Sequence, residues 1–288
     1  MNVNSSTIKP ILTRVPDEPI SEAMDIDNEE EPSQQSIIDI SPLLTSLESI
    51  SISDSRIEIL QNLISLPMHQ LTVACQSISD WSEDIISDLC HEIENKTDLS
   101  DECVSLLVIS IIYPKICIVK NINSRILISN ITLLSKSHGK AMAQGLIIPI
   151  LFDTATERMH IDMLEKLITK TFGPIERLYL LDCILAHHQE WNDYIIQVIG
   201  FVLDTEPFVA LDGIRVRGVL SSVTQTIQTN PKDKGSVRLL ITLSKKYQAI
   251  LLGDHLIDSM EQVAKLSKHM MSKSLLSQLN QLKKQEKK

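Results

Sequence analysis

The chain has 288 residues, 43% of them hydrophobic and 22% charged, close to globular averages and ample for a buried core. Only 3% are aromatic and Gly occurs 8 times, which disfavours strand-rich folds and the glycine-rich phosphate loops of nucleotide-binding α/β enzymes. The formal net charge of −10 is uneven: residues 230–288 carry 12 Lys/Arg against 5 Asp/Glu, so a basic docking end follows an acidic remainder.

In chain order, residues 1–35 hold Pro10, Pro16, Pro19 and Pro32 and an acidic run from Asp17 to Glu31, with almost no apolar periodicity. That composition predicts a disordered acidic tail. Residues 36–286 then keep apolar residues at helical spacing and are expected to form one helical-repeat domain. The N-terminus lacks a basic-then-apolar leader, so secretion is not expected. Ser100-Asp101-Glu102 supplies a hydroxyl cap and two acids ahead of the stripe Val104, Leu107, Val108 and Ile111. The apolar run from Cys103 to Tyr113 is too short to span a bilayer and leads into Pro114. The five cysteines (Cys75, Cys90, Cys103, Cys117, Cys183) form no CxxC pair and read as reduced intracellular core thiols.

Gly173-Pro174 ends one helix and starts the next, and Pro207 and Pro231 are expected to play the same part later. Starts near Glu157, Pro174, Trp191, Pro207, Pro231 and Asp254 place a pair of helices in every stretch of roughly 35–45 residues. Short linkers such as Asp204-Thr205-Glu206 force consecutive helices into antiparallel hairpins. The stripe at Leu240, Leu243 and Tyr247 is wide enough to face two neighbours. The expected fold is all-α, a HEAT/armadillo-like α-solenoid of antiparallel helical hairpins, with a compact helical bundle as the competing architecture.

No catalytic or ligand constellation stands out. His187-His188 lies near Cys183, but a closed zinc site needs four ligands and no second Cys/His pair stands at ligand spacing. Cys90 and His91 are adjacent on a helix and point about 100° apart. Ser137-His138-Gly139 lacks the flanking glycines of a nucleophile elbow and reads as a helix end with Gly139 as terminator. Phosphate-loop patterns are missing too. Neither enzyme activity nor a cofactor, metal or small-molecule substrate is expected. The basic tail from Leu282 to Lys288 has no interleaved aromatics, so direct nucleic-acid contact is not expected either.

Three segments carry a resemblance to the C-terminal domain of the Fanconi anaemia group E family. Val237 to Gln248 resembles that family's helix ending in a threonine/serine–lysine–tyrosine–glutamine run, here with one extra Lys. Met270-Met271-Ser272-Lys273-Ser274-Leu275 resembles its final-helix segment, with Met270 where the family has an aromatic. Asp98-Leu99-Ser100 followed by Val104 to Ile116 is similar to a third stretch, and the likeness covers roughly residues 58–285. It implies a HEAT-like, non-catalytic subunit of the nuclear Fanconi core complex. That subunit would bridge the ubiquitin ligase, through the group C subunit and its neighbours, to the group D2 substrate in interstrand crosslink repair. The last two helices are the expected docking surface: Tyr247, Met270, Met271 and Leu275 for apolar contact, with Lys245, Lys246, Lys268 and Lys273 steering an acidic partner. The alternative from another class is a generic HEAT/armadillo scaffold in the cytoplasm.

Overall fold

Side chains that accept backbone N–H groups set the start of six of the helices. The computed structural model describes residues 42, 44, 47, 50, 53–76, 78, 81–118, 124–187 and 189–286; the acidic tail expected over residues 1–35 lies outside the described residues. The chain divides into Met1–Ile37 and Ile38–Lys288, and every described element belongs to the second unit. The fold is all-α, with no strand among the described residues. Its elements are α1 (Ser53–Ile64), α2 (Met68–Gln76), α3 (Glu83–Asn95), α4 (Asp101–Leu107), α5 (Tyr113–Ile118), α6 (Arg125–Ser137), α7 (Gly139–Met142) and α8 (Ile148–Phe152). There follow α9 (Arg158–Lys170), α10 (Pro174–Ala186), α11 (Asp193–Asp204), α12 (Gly213–Thr229), α13 (Lys234–Lys246), α14 (Gln248–Gly253), α15 (Ile257–Leu266) and α16 (Ser272–Glu286).

Ser82, Ser100, Ser124, Asn192, Asp212 and Asp233 each accept from the N–H three residues on, satisfying donors that a first turn leaves unpaired. Glu157 and Gly173-Pro174 start α9 and α10 where the sequence puts them. Three later starts move. Pro207 lies in the loop between α11 and α12, and the helix waits for the Asp212 cap. The reason is Arg177: its buried guanidinium donates to the carbonyls of Thr205 (2.5 Å) and Pro207 (2.6 Å) and holds that stretch in a loop. The three-residue linker expected at Asp204 to Glu206 therefore extends to Asp212. Pro231 sits in a turn, and α13 starts behind the Asp233 cap. Asp254 closes α14, and His255, in the left-handed region at φ 52°, separates it from α15. Gly139 opens α7 instead of ending α6, whose C-cap is His138.

Two prolines lie inside continuing helical runs. Between α4 and α5 the chain takes a π turn over Val108–Ile112, and between α7 and α8 another over Ala143–Ile147. Tyr113 donates back five residues to Val108, and Ile148 donates back five to Ala143. Pro114 and Pro149 each follow the residue that makes this wide bond. The wider turn gives the pyrrolidine ring room against the carbonyl it would strike in a regular helix, so the helix continues. The two π turns pack on one another, and Gly145 permits the approach: a Cβ there would stand 2.6 Å from the Ser105 carbonyl oxygen.

The helices line up by contact in two sets. One set runs α2, α4, α7, α10, α12 and α15, each touching the next. The other consists of α1, α3 and α6, and then α9, α11, α13 and α16. Consecutive members in contact begin 30 to 44 residues apart, a wider spread than the roughly 35–45 expected. α13 illustrates the packing: Leu239, Leu240, Leu243 and Tyr247 are buried, and the helix touches both α11 and α16, as its wide apolar stripe requires.

Candidate functional site

The turn ahead of α13 and the turn ahead of α16 are tied together by one carbonyl. Pro231 O accepts the Lys268 N–H at 2.7 Å and the Ser267 hydroxyl at 3.3 Å. The second turn is closed on itself. Its Met271 N–H donates to His269 Nδ1 at 3.2 Å, and Ser272 Oγ donates to His269 O at 2.6 Å. α16 is held against α15 by Lys283, which pairs with Glu261 and with Asp258 at 2.5 Å, while Lys265 pairs with Glu261. Those two cations hold the Glu261 carboxyl down at about 2.

This framework brings Lys232, Lys268 and Lys273 around a hollow of about 510 Å³, with His269 and Met270 on its lining. None of the three ammonium groups meets a carboxylate among the described residues, whereas Lys246, Lys265 and Lys283 are all paired. Met270 is 83% exposed beside them, the most exposed large apolar side chain of those described. An unpaired cationic rim around a flexible apolar side chain is suited to a partner that is itself acidic and partly apolar.

The eight residues expected to form one docking surface therefore divide. Lys268, Met270 and Lys273 share the hollow, and Met271 lines the groove on the other side of the same turn. Leu275 is fully buried in the core. Lys245, Lys246 and Tyr247 lie at the opposite end of α13, about 20 Å along its axis. Tyr247 is buried, donates to Leu203 O at 3.2 Å, and burial pushes its phenol up to about 12. Lys246 is committed to Asp204, at 3.0 Å from Oδ1 and 2.9 Å from the backbone oxygen, and sits 4.5 Å from the Phe208 ring centroid. Lys245 remains exposed. Lys232 belongs to the site and was not expected there; its only sequence signal is its place directly after Pro231 in a basic segment.

The groups weighed for chemistry lie apart. Cys90 is buried and its thiol is pushed up to about 12, while the neighbouring His91 is exposed and turns Nδ1 to Ser87 O at 2.8 Å. Burial also pushes Cys75 up to about 11 and raises Cys117 and Cys183. All five cysteines are free, and no group of three His, Cys, Asp or Glu among the described residues is arranged to hold a metal ion. His188 lies outside the described residues. Among the described residues no helix is long and apolar enough to cross a membrane. Compared with protein-family models the chain matches none, and comparison with curated proteins gives no match.

Proposed function

We propose that this chain is a non-catalytic adaptor, a HEAT/armadillo-like α-solenoid that docks an acidic partner at the Lys232–Lys268–Met270–Lys273 hollow. The carrying observation is that hollow: three unpaired ammonium groups around an 83%-exposed methionine. The runs of helices in serial contact, with starts 30 to 44 residues apart, support the solenoid reading. Thiols raised by burial are poor nucleophiles at neutral pH and support a binding role over a catalytic one. The resemblance of Val237 to Gln248, of Met270 to Leu275 and of Asp98 to Ile116 to the group E family directs the proposal to the Fanconi core complex in the nucleus. There the chain would join the group C subunit to the group D2 substrate.

Co-purification of the full chain with a group C homologue tests the assignment, and stoichiometric association is the expected result. Lys268→Glu/Lys273→Glu should fold normally and lose most of its group D2 pull-down. Full-strength pull-down would remove the hollow from the proposal. Cells lacking the chain that tolerate crosslinking agents normally would favour the cytoplasmic scaffold instead.

A further inference from the structure

On the other side of the same two turns runs a groove of about 600 Å³ across α9, α11 and α13. Ile196, Gly200, Gly235 and Leu239 line it along α11 and α13, with Phe201 and Met271 beside them. Gly200 is the informative residue. It lies inside α11, where glycine costs about 1 kcal/mol relative to alanine. A Cβ there would meet nothing within 4 Å, so packing inside the chain does not call for glycine. Gly235 differs, because a Cβ there would stand 3.0 Å from Ile196 Cγ2. An unfilled glycine on a partly apolar floor leaves room for another backbone to come close.

The walls give the occupant its charge. Arg158 is paired with Asp162, Asp204 with Lys246, and Asp233 accepts the Ser236 N–H. Lys234 and Arg238 remain exposed without a carboxylate partner among the described residues, against Asp193 alone. The groove is also continuous with the lysine hollow: Met270 lines the hollow and Met271 the groove, and Lys232 lines the hollow and Asp233 the groove.

We infer that hollow and groove together receive one occupant, an amphipathic helix of a partner protein that carries a run of carboxylates at one end. Its acidic end sits among Lys232, Lys268 and Lys273. Its apolar face lies along the groove with a small residue over Gly200, and Lys234 and Arg238 meet acids on its flank. This rests on the docking reading proposed above and adds the groove, the helical form and the polarity of the partner.

The probe is a fluorescein-labelled synthetic helix with a glutamate run at one end and a Leu/Ala face, read by anisotropy against the full chain. A second probe carries the glutamate run alone. Gly200→Leu, checked by circular dichroism and thermal midpoint, should weaken the helical probe about tenfold and leave the glutamate probe unchanged. Lys232→Glu/Lys268→Glu/Lys273→Glu should weaken both. Unchanged binding of the helical probe to Gly200→Leu overturns the inference and leaves the docking reading standing. Unchanged binding of both probes to the triple variant overturns the docking reading and the inference with it. A change in the sedimentation coefficient of the free chain on Gly200→Leu would mean that a second copy fills the groove, and would overturn the inference too.

Discussion

Arg177 is a cation with no exposed surface and no carboxylate among its hydrogen-bond partners. Its charge is balanced by carbonyls at the C-terminal end of α11 and in the following loop: Thr205 O at 2.5 Å, Pro207 O at 2.6 Å and Val202 O at 3.3 Å. The negative end of a helix dipole suits a cation, even though burial lowers the Arg177 pKa. Arg177→Ala leaves those carbonyls without their donor and should lower stability by about 3–5 kcal/mol in urea unfolding. Arg177→Lys keeps the charge but loses the fork and should fall between. Glycines divide by what surrounds them. Gly145→Ala drives a methyl to 2.6 Å from a backbone oxygen and 3.0 Å from Val108 Cβ, and should cost about 1–3 kcal/mol. Gly200→Ala should stabilise by about 0.5–1 kcal/mol, so thermal midpoints of the two variants should move in opposite directions. A single sequence hides this contrast, because the two glycines look alike until α4 is seen against the π turn that follows α7. Lys232 was illegible for the same reason: a bond between Pro231 and Lys268 brings it to Lys273.

At the scale of the helix, the parts written in local chemistry were legible. Serine, asparagine and aspartate caps act within three residues, and the starts at Ser100, Glu157 and Gly173-Pro174 lie where the sequence puts them. The start expected at Pro207 failed because a distant group, Arg177, decides it. The α15–α16 contact carries a prediction of its own. Glu261 is held at about 2 rather than its ordinary 4.5, first by the hydrogen bond from Lys265 and then by that from Lys283. A lowered carboxyl pKa gives stability that is complete above 4.5 and lost as pH falls toward 2. The urea midpoint of wild type should therefore exceed that of Glu261→Gln at neutral pH, and the gap should close over that acid range. A gap that persists at pH 2 would show that packing, not charge, joins the two helices.

Across the molecule, a net charge of −10 coexists with a C-terminal region of 12 Lys/Arg against 5 Asp/Glu. Three of those basic residues, Lys232, Lys268 and Lys273, stand at the hollow without a carboxylate partner among the described residues. Binding of an acidic partner should weaken steeply between low and physiological salt, because exposed charges are screened over about 8 Å at 0.15 M. Lys232→Glu/Lys268→Glu/Lys273→Glu should flatten that dependence; isothermal titration at several salt concentrations measures both slopes. The all-helical class was legible from aromatic and glycine scarcity. The division of the expected docking surface was not legible, because sequence proximity of Tyr247 to Lys246 says nothing about which end of α13 faces the α16 turn.

Where α4–α5 crosses α7–α8, each partner presents its least regular turn to the other. Pro114 and Pro149 donate no proton, so each crossing turn holds fewer backbone bonds than an ordinary one. Neither can fray alone without unseating Gly145 from the Ser105 backbone. Amide protons over 109–113 and 144–148 should therefore exchange with deuterium as one cooperative unit, with a common opening free energy below that of the flanking turns. Mass spectrometry of peptides spanning the two stretches would resolve this, and two unrelated exchange rates would separate what the fold has joined.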